Sequence, residues 1–238
     1  MSDSVTTVAR DAVPWLSVKE MIEVDRLMIE EFGISLVRMM ENAGRGVASL
    51  ARRMLGGDAS GARVLVLCGT GGNGGGGLVA ARHLVNAGAD VFVRLSSEPS
   101  RLTPVPAQQH AILTRMGVQV DIGAAAPVHA NLVVDAVLGY SLTGAPRGLA
   151  AELIAVPLEA PVLSLDVPSG LELSTGSVHE PHITATATLT LAAPKHGLAH
   201  PVAGDLYLAD ISVPAAVYER IGVAYQSPFG AGPLVMLS

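Results

Sequence analysis

Three short segments hold the residue types that could do chemistry. The first is CGTGGNGGGGL, residues 68–78, set directly between a β-branched run, RVLVLC, and a helical pattern, LVAARHL. Seven glycines in that turn leave little side-chain bulk, so backbone N–H groups at a helix N-terminus can approach an anion closely. This favours a phosphate-bearing ligand over a flexible packing loop, because so many adjacent glycines cost chain entropy. The other two are VVDAVLGYSLTGAPRG (133–148) and SLDVPSGLELSTG (164–176). Both follow apolar runs at expected strand C-termini, where parallel α/β sheets bind ligands. Asp135 sits inside an otherwise apolar strand, where its charge is costly unless a cation or several donors meet it; a lone structural Asp is the blander alternative. Asp166 holds the corresponding place in its own strand. Pro168 and Gly170 then turn the chain, and Ser169 between them offers a hydroxyl or carbonyl oxygen. Two carboxylates and oxygen donors beside a phosphate loop suit a hard monovalent or divalent cation.

Other chemistries are less well served. GTGGNG (69–74) satisfies G-x-G-x-x-G, but the next strand ends VFVRL, with Arg94 where a dinucleotide site wants an acid. An arginine there can meet a 2′-phosphate, which leaves an NADP-dependent oxidoreductase as a weaker reading without a placed donor pair. His179, His182, His196 and His200 lack the spacing of a helical zinc pair and read as solvated loop residues. Gly-x-Ser-x-Gly does not occur, so Ser169 is a turn serine first.

These loops need elements to position them. Ser17 and Glu20 have capping-box spacing, and Met21, Val24 and Met28 fall on one helical face before Gly33. A second helix follows, with Val37, Met40, Val47, Leu50 and Met54 as its stripe, ending at Gly56 and Gly57. Strands are expected at 63–68, 90–95, 118–121, 131–137, 161–167, 185–193 and 205–213, and helices at 78–88, 106–117 and 148–156. Runs apolar on both faces, separated by helices, indicate an α/β fold with a mostly parallel sheet, helices on both faces and the two N-terminal helices appended. The expected organisation is one domain over 17–222, with tails at 1–16 and 223–238. Met-rich stripes outside the core would expose apolar surface, which a homodimer would bury.

Composition narrows the partners. Of 238 residues half are hydrophobic, 15% charged and 3% aromatic, with net charge -6. That excludes a disordered chain and leaves neither the cationic surface nor the stacking platforms nucleic-acid binding needs. The single cysteine, Cys68, suits a reducing compartment. MSDSVTTVARDAVPWL reads as neither signal nor transit peptide, and no apolar stretch reaches membrane-spanning length. A cytoplasmic protein with no nucleic-acid or membrane partner is expected.

The segments MMENAGRGVA (39–48), CGTGGNGGGGLVAARHL (68–84), VVDAVLG (133–139), LDVPSG (165–170), PKHGL (194–198) and DLYLADISVP (205–214) occur in an order that resembles the YjeF N-terminal domain family. Its members include NAD(P)H-hydrate epimerases. The resemblance spans roughly 17–222. It implies a Rossmann-like three-layer sandwich that interconverts the R and S forms of hydrated NADH and NADPH as a homodimer with one potassium ion per subunit. A separate dehydratase acting on the product is a possible partner. The family's glycine loop, asparagine, asparagine, glycine, glycine, aspartate, falls on Gly72, Asn73, Gly74, Gly75 and Gly76, so only the second asparagine is kept of its polar residues. Its second substrate loop falls on Gly139, Tyr140, Ser141, Leu142, Thr143, Gly144 and Ala145, where a lysine or arginine is common at the place of Thr143. Its cation ligands fall on Asn73, Asp135 and Ser169. Its strand-end acid is retained as Asp166, the expected substrate contact and acid/base. The departures at Gly76 and Thr143 keep an alternative open, a catalytically weakened or inactive nucleotide-binding or scaffolding domain of the same fold.

Overall fold

Strands without a polar face need cover on both sides, and the sheet is built accordingly. The computed structural model describes residues 5–124 and 129–238, so residues 1–4 of the expected N-terminal tail lie outside the described residues. In chain order the main elements are β1 (Thr6–Val8), α1 (Val18–Arg26), α2 (Leu36–Met54), β2 (Arg63–Cys68), α3 (Gly72–Asn86), β3 (Asp90–Leu95), α4 (Pro104–Arg115), β4 (Val120–Ile122), β5 (Leu132–Ala136), α5 (Gly148–Ile154), β6 (Val162–Leu165), β7 (Leu171–Glu172), β8 (Ser177–Val178), β9 (Ala187–Leu191), β10 (Asp205–Ala209), α6 (Ala215–Arg220) and β11 (Leu234–Leu237).

Nine strands form one sheet in the order β1-β11-β10-β9-β6-β5-β2-β3-β4. The run from β10 to β4 is parallel throughout, and β11 is antiparallel to β10. The chain leaves β2 outward to β3 and β4, then returns on the other side of β2 to β5, β6 and β9. Strand order therefore reverses between β2 and β5, and the loops after those two strands diverge there, which opens a crevice at the C-terminal edge.

One face is covered by α2, α3 and α4 over Val64, Val66, Val93 and Val134. On the other face Leu153 and Ile154 of α5 pack on Leu65, Leu67 and Val133. Beyond it, the β7–β8 hairpin region brings Leu171 and Leu173 against Leu206 and Val235. The second face is thus covered as much by extended chain as by helix.

Four expectations change. The segments read as tails are part of the sheet: Thr6–Val8 pairs with Val235–Leu237, so the fold extends beyond 17–222 at both ends. The second N-terminal helix is a layer of the core, because Gly44 lets α2 approach α3 so closely that a Cβ there would lie 2.4 Å from Val79. Its Met39 and Met40 are buried, as are Met21 and Met28, so the methionine stripes are core and expose no dimer surface. Val37, expected in the buried stripe, is 39% exposed. The first helix does start as read, with both hydrogen bonds of the Ser17–Glu20 capping box formed. No helix among the described residues is long and apolar enough to cross a membrane.

Candidate active site

A cavity of about 590 Å³ opens at the strand-order reversal, between the sheet's C-terminal edge and α1. Its walls come from successive strand ends. Ser96, Ser97 and Arg101 follow β3, Gly71, Gly72 and Asn73 follow β2, Leu138 to Ser141 follow β5, Asp166 follows β6 and Lys195 follows β9. At about 4.8 Å per strand this row spans roughly 19 Å, a trough suited to a long ligand laid across the strand ends.

The glycine run has two jobs. Helix α3 begins inside it, at Gly72, six residues earlier than expected. The first helical N–H groups have no carbonyl within the helix to meet, and Gly71, Gly72 and Asn73 present this turn to the cavity. The later glycines serve packing. A Cβ on Gly74 would lie 1.9 Å from the carbonyl oxygen of Gly69, and one on Gly75 would lie 2.4 Å from Met40 Sδ. Gly76 lines the cavity, but a Cβ there would come within 2.7 Å of Leu165.

Asp135 lies behind this wall, fully buried. Its register neighbour on β6 is Ser164, whose hydroxyl donates to Oδ2 at 2.8 Å. Ser169 donates its backbone N–H to Oδ2 (2.8 Å) and its hydroxyl to Oδ1 (2.6 Å), and the Val137 N–H reaches Oδ1 at 3.3 Å. Burial pushes the Asp135 carboxyl up, and the Ser169, Ser164 and Val137 donors pull against that. The Ser169 hydroxyl accepts from Leu138 N, while Asn73 Nδ2 donates to Leu138 O at 3.0 Å. The three expected cation ligands are therefore gathered around Leu138. Asp135 also ties the loop after β5 to the loop after β6, which carries Asp166.

Asp166 is 4% exposed and adopts a left-handed backbone (φ 67°) where the chain turns out of β6. Its partner is Lys195, 1% exposed, whose Nζ donates to Asp166 Oδ1 at 2.5 Å, to Thr190 Oγ1 at 3.1 Å and to Leu191 O at 2.9 Å. A second acidic pair shares the cavity. The Tyr140 hydroxyl donates to Asp25 Oδ2 at 2.5 Å, and Lys195 Nζ stands 5.9 Å from the Tyr140 ring centroid. Burial raises the Asp25 carboxyl, against the Tyr140 hydrogen bond and the Lys195 charge. Burial and then the Asp25 charge raise the Tyr140 phenol.

Of the residues singled out from the sequence, Gly72, Asn73, Gly76, Gly139, Tyr140, Ser141 and Asp166 line the cavity. Gly74, Gly75, Leu142, Thr143, Gly144 and Ala145 do not. Gly144 is turned toward the β7–β8 hairpin, where its N–H donates to Glu172 Oε2 at 2.9 Å. Glu172 also accepts from Ser174 at 2.8 Å and meets His179 Nε2 at 2.7 Å. Arg94, the residue offered for a 2′-phosphate, is 2% exposed and absent from the cavity wall, because β3 buries both its faces. The arginines at the cavity are Arg101 and Arg147. Sequence reasoning missed Asp25 and gave Lys195 no role, although PKHGL drew notice.

Comparisons with known proteins find relatives in both sequence and structure. The family model described as YjeF-related protein N-terminus matches residues 37–197. A protein of Dehalogenimonas lykanthroporepellens named NAD(P)H-hydrate epimerase is 44% identical, over all of this chain and 98% of its own length. A protein of Moorella thermoacetica named bifunctional NAD(P)H-hydrate repair enzyme is 37% identical over 84% of this chain, and the matched region is 40% of its length. Among solved structures, the crystal structure of the yeast protein YNL200c superposes with a TM-score of 0.80 at 28% identity, covering 94% of this chain and all of that one.

Proposed function

The chain belongs to the YjeF N-terminal family, and on that premise we propose that it is an isomerase, an epimerase interconverting the R and S forms of hydrated NADH and NADPH. The observation that carries this reading is the meeting, in one cavity at the strand-order reversal, of a helix N-terminus fit for phosphate with the buried Asp166–Lys195 pair. The diphosphate is taken by the N–H groups of the first turn of α3, from Gly72 and Asn73, with Gly139 to Ser141 facing them. This leaves the hydrated nicotinamide ring toward Asp166.

C6 of that ring bears a hydroxyl beside the ring nitrogen. Epimerisation needs the hydroxyl to leave, giving an iminium, or the ring to open, and then closure on the other face. Asp166 and Lys195 meet at 2.5 Å, so the pair can handle a proton on one face of C6, giving it to a leaving oxygen or taking it from an incoming water there. The Asp166 carboxylate also lies where positive charge would develop on the ring, which it stabilises in a water-poor site.

Potassium fits the donor chemistry. Asn73, Asp135 and Ser169 offer hard oxygen atoms, and a fully buried carboxylate whose donors, Ser169, Ser164 and Val137, are all neutral is held ionised more easily beside a cation. These residues would hold it, where its charge would favour the nearby phosphates. The absence of an aspartate at Gly76 removes one polar contact, and the Leu165 side chain occupies part of the space it would need.

The homodimer remains our proposal on a different surface. Ile22 and Ile29 of the first helical segment and Leu36 and Val37 of α2 are 54%, 44%, 38% and 39% exposed, an apolar group a second copy would cover. Sedimentation at micromolar concentration should give twice 24.4 kDa; a monodisperse monomer refutes it. Cytoplasmic placement suits a protein whose single cysteine is a buried thiol. A separate dehydratase would consume the product of this epimerase.

The test supplies the R epimer of hydrated NADPH and follows the S epimer by chromatography against the spontaneous rate. Conversion above that rate is expected. Nucleotide binding without it would establish the non-catalytic domain instead.

A further inference from the structure

We propose that Asp25 and Tyr140 form a second proton-transfer pair, serving the face of the C6 centre opposite the one served by Asp166 and Lys195. This rests on the epimerase reading above. Inversion by loss and return of water has a geometric demand: the hydroxyl leaves from one face and water adds to the other. A ring held by its nucleotide cannot turn over between the two steps, so a proton-handling group is needed on each face. The sequence offered one, at Asp166. The cavity holds a second.

The two pairs reach the cavity from different elements. Asp166 and Lys195 stand at the ends of β6 and β9, on the sheet's C-terminal edge. Asp25 comes from α1, which caps that edge, and Tyr140 from the loop after β5. Tyr140 donates to Asp25 at 2.5 Å, and its ring lies 5.9 Å from Lys195 Nζ, so the pairs are neighbours across the same space. Asp25 has no basic side chain within hydrogen-bonding distance among the described residues. Its carboxyl is raised by burial, which suits a group that must carry a proton part of the time.

The step balances without any further reagent. From the R or S epimer, one pair gives a proton to the C6 oxygen, the C–O bond breaks with its electrons going to oxygen, and water and an iminium result. Water then adds to C6 from the other side and loses a proton to the other pair. Solvent exchange resets both pairs, and substrate and product have the same composition.

The experiment runs each epimer separately in ¹⁸O-water and scores both inversion and label at the C6 oxygen. Wild-type protein should put label into the inverted product. With Asp25→Asn, whose amide oxygen can still accept from Tyr140 and keep α1 tied to the loop, inversion should fall about 10²-fold or more. One epimer should still exchange its oxygen with retention, through Asp166 and Lys195, while the other exchanges no faster than spontaneously. Asp166→Asn should show the mirror pattern. Tyr140→Phe, which keeps the ring beside Lys195, should give the same one-sided exchange as Asp25→Asn. The proposal is overturned if Asp25→Asn and Tyr140→Phe invert at the wild-type rate, if exchange of both epimers falls in equal proportion, or if wild-type inversion carries no label. Wild-type protein without catalysed inversion would overturn the epimerase reading itself, and this proposal with it.

Discussion

Replacing Lys195 with methionine tests whether the site is built on a buried ion pair. Methionine keeps most of the stem volume, so the change removes the ammonium without opening a large void. Three acceptors lose their donor: Asp166 Oδ1, Thr190 Oγ1 and Leu191 O, in a place where Lys195 is 1% exposed and Asp166 4%. Breaking a buried pair on one side costs about 3–5 kcal/mol, because the remaining charge is left without compensation. Against a domain stability of about 5–15 kcal/mol this is a large fraction. With a urea slope of about 1–3 kcal/mol per molar, the unfolding midpoint should drop by roughly 1 M or more. The double variant Lys195→Met with Asp166→Asn removes the orphaned charge and should recover at least half of the loss. Urea unfolding at pH 7 followed by far-UV circular dichroism reads both. A single variant within about 1 kcal/mol of wild type, or a double variant no more stable than the single one, refutes the reasoning.

Other expectations follow from the same structure. Gly74→Ala drives a Cβ into the backbone of Gly69 and should destabilise the fold by about 1–3 kcal/mol or prevent folding, whereas Gly72→Ala, with nothing within 4 Å, should leave the melting temperature unchanged or higher and weaken nucleotide binding. Equal melting temperatures for the two would contradict the packing account. Glu172 is held down to about 2 by the Gly144 N–H, His179 and Ser174, against about 4.3 when unfolded. A carboxylate lowered on folding stabilises above the unfolded value and loses that contribution as pH falls through the folded one. Amide exchange at Gly144 should therefore accelerate between about pH 4 and pH 2 relative to neighbouring loop amides, and in Glu172→Gln it should already be fast at neutral pH; no difference between the two proteins would remove the tether. Asp135→Asn replaces an acceptor-only group with one that carries an N–H, so Ser164 and Ser169 cannot all be satisfied. It should lower the melting temperature and abolish any potassium-dependent gain in activity, whereas a variant equally responsive to potassium would place the cation elsewhere.

How much of this was legible depended on whether a feature was local. The middle strands were readable because runs such as Arg63–Cys68 and Leu132–Ala136 are apolar on both faces, and the Ser17 cap because its partner is three residues away. Thr6–Val8 and Leu234–Leu237 were not, since strands of three and four residues at opposite chain ends carry no pattern until they pair with each other. The glycine run was ambiguous for a physical reason: a glycine needed for backbone approach to a ligand and one needed for close helix packing look the same in sequence. Their distant neighbours distinguish them, Met40 on the facing helix for Gly75 and Leu165 on β6 for Gly76. Asp135 and Asp166 stood out as charges in apolar strands. Lys195 could be matched to Asp166 only through the β6–β9 pairing, across 29 residues. Asp25 reads as part of the polar side of an amphipathic helix, and nothing local says that the loop after β5 will bring Tyr140 to it.

The most direct test of the central claim is the kinetics of Asp166→Asn beside its nucleotide binding. The amide has nearly the same shape and its oxygen can still accept from Lys195, so affinity for the hydrated nucleotide should stay close to wild type, while the uncompensated Lys195 ammonium lowers the stability of the fold without unfolding it at 25 °C. It cannot shuttle a proton, so conversion of the R to the S epimer of hydrated NADPH, corrected for the spontaneous rate, should fall by about 10²–10⁴-fold. Asp166→Asn converting the epimers at the wild-type rate would contradict the account.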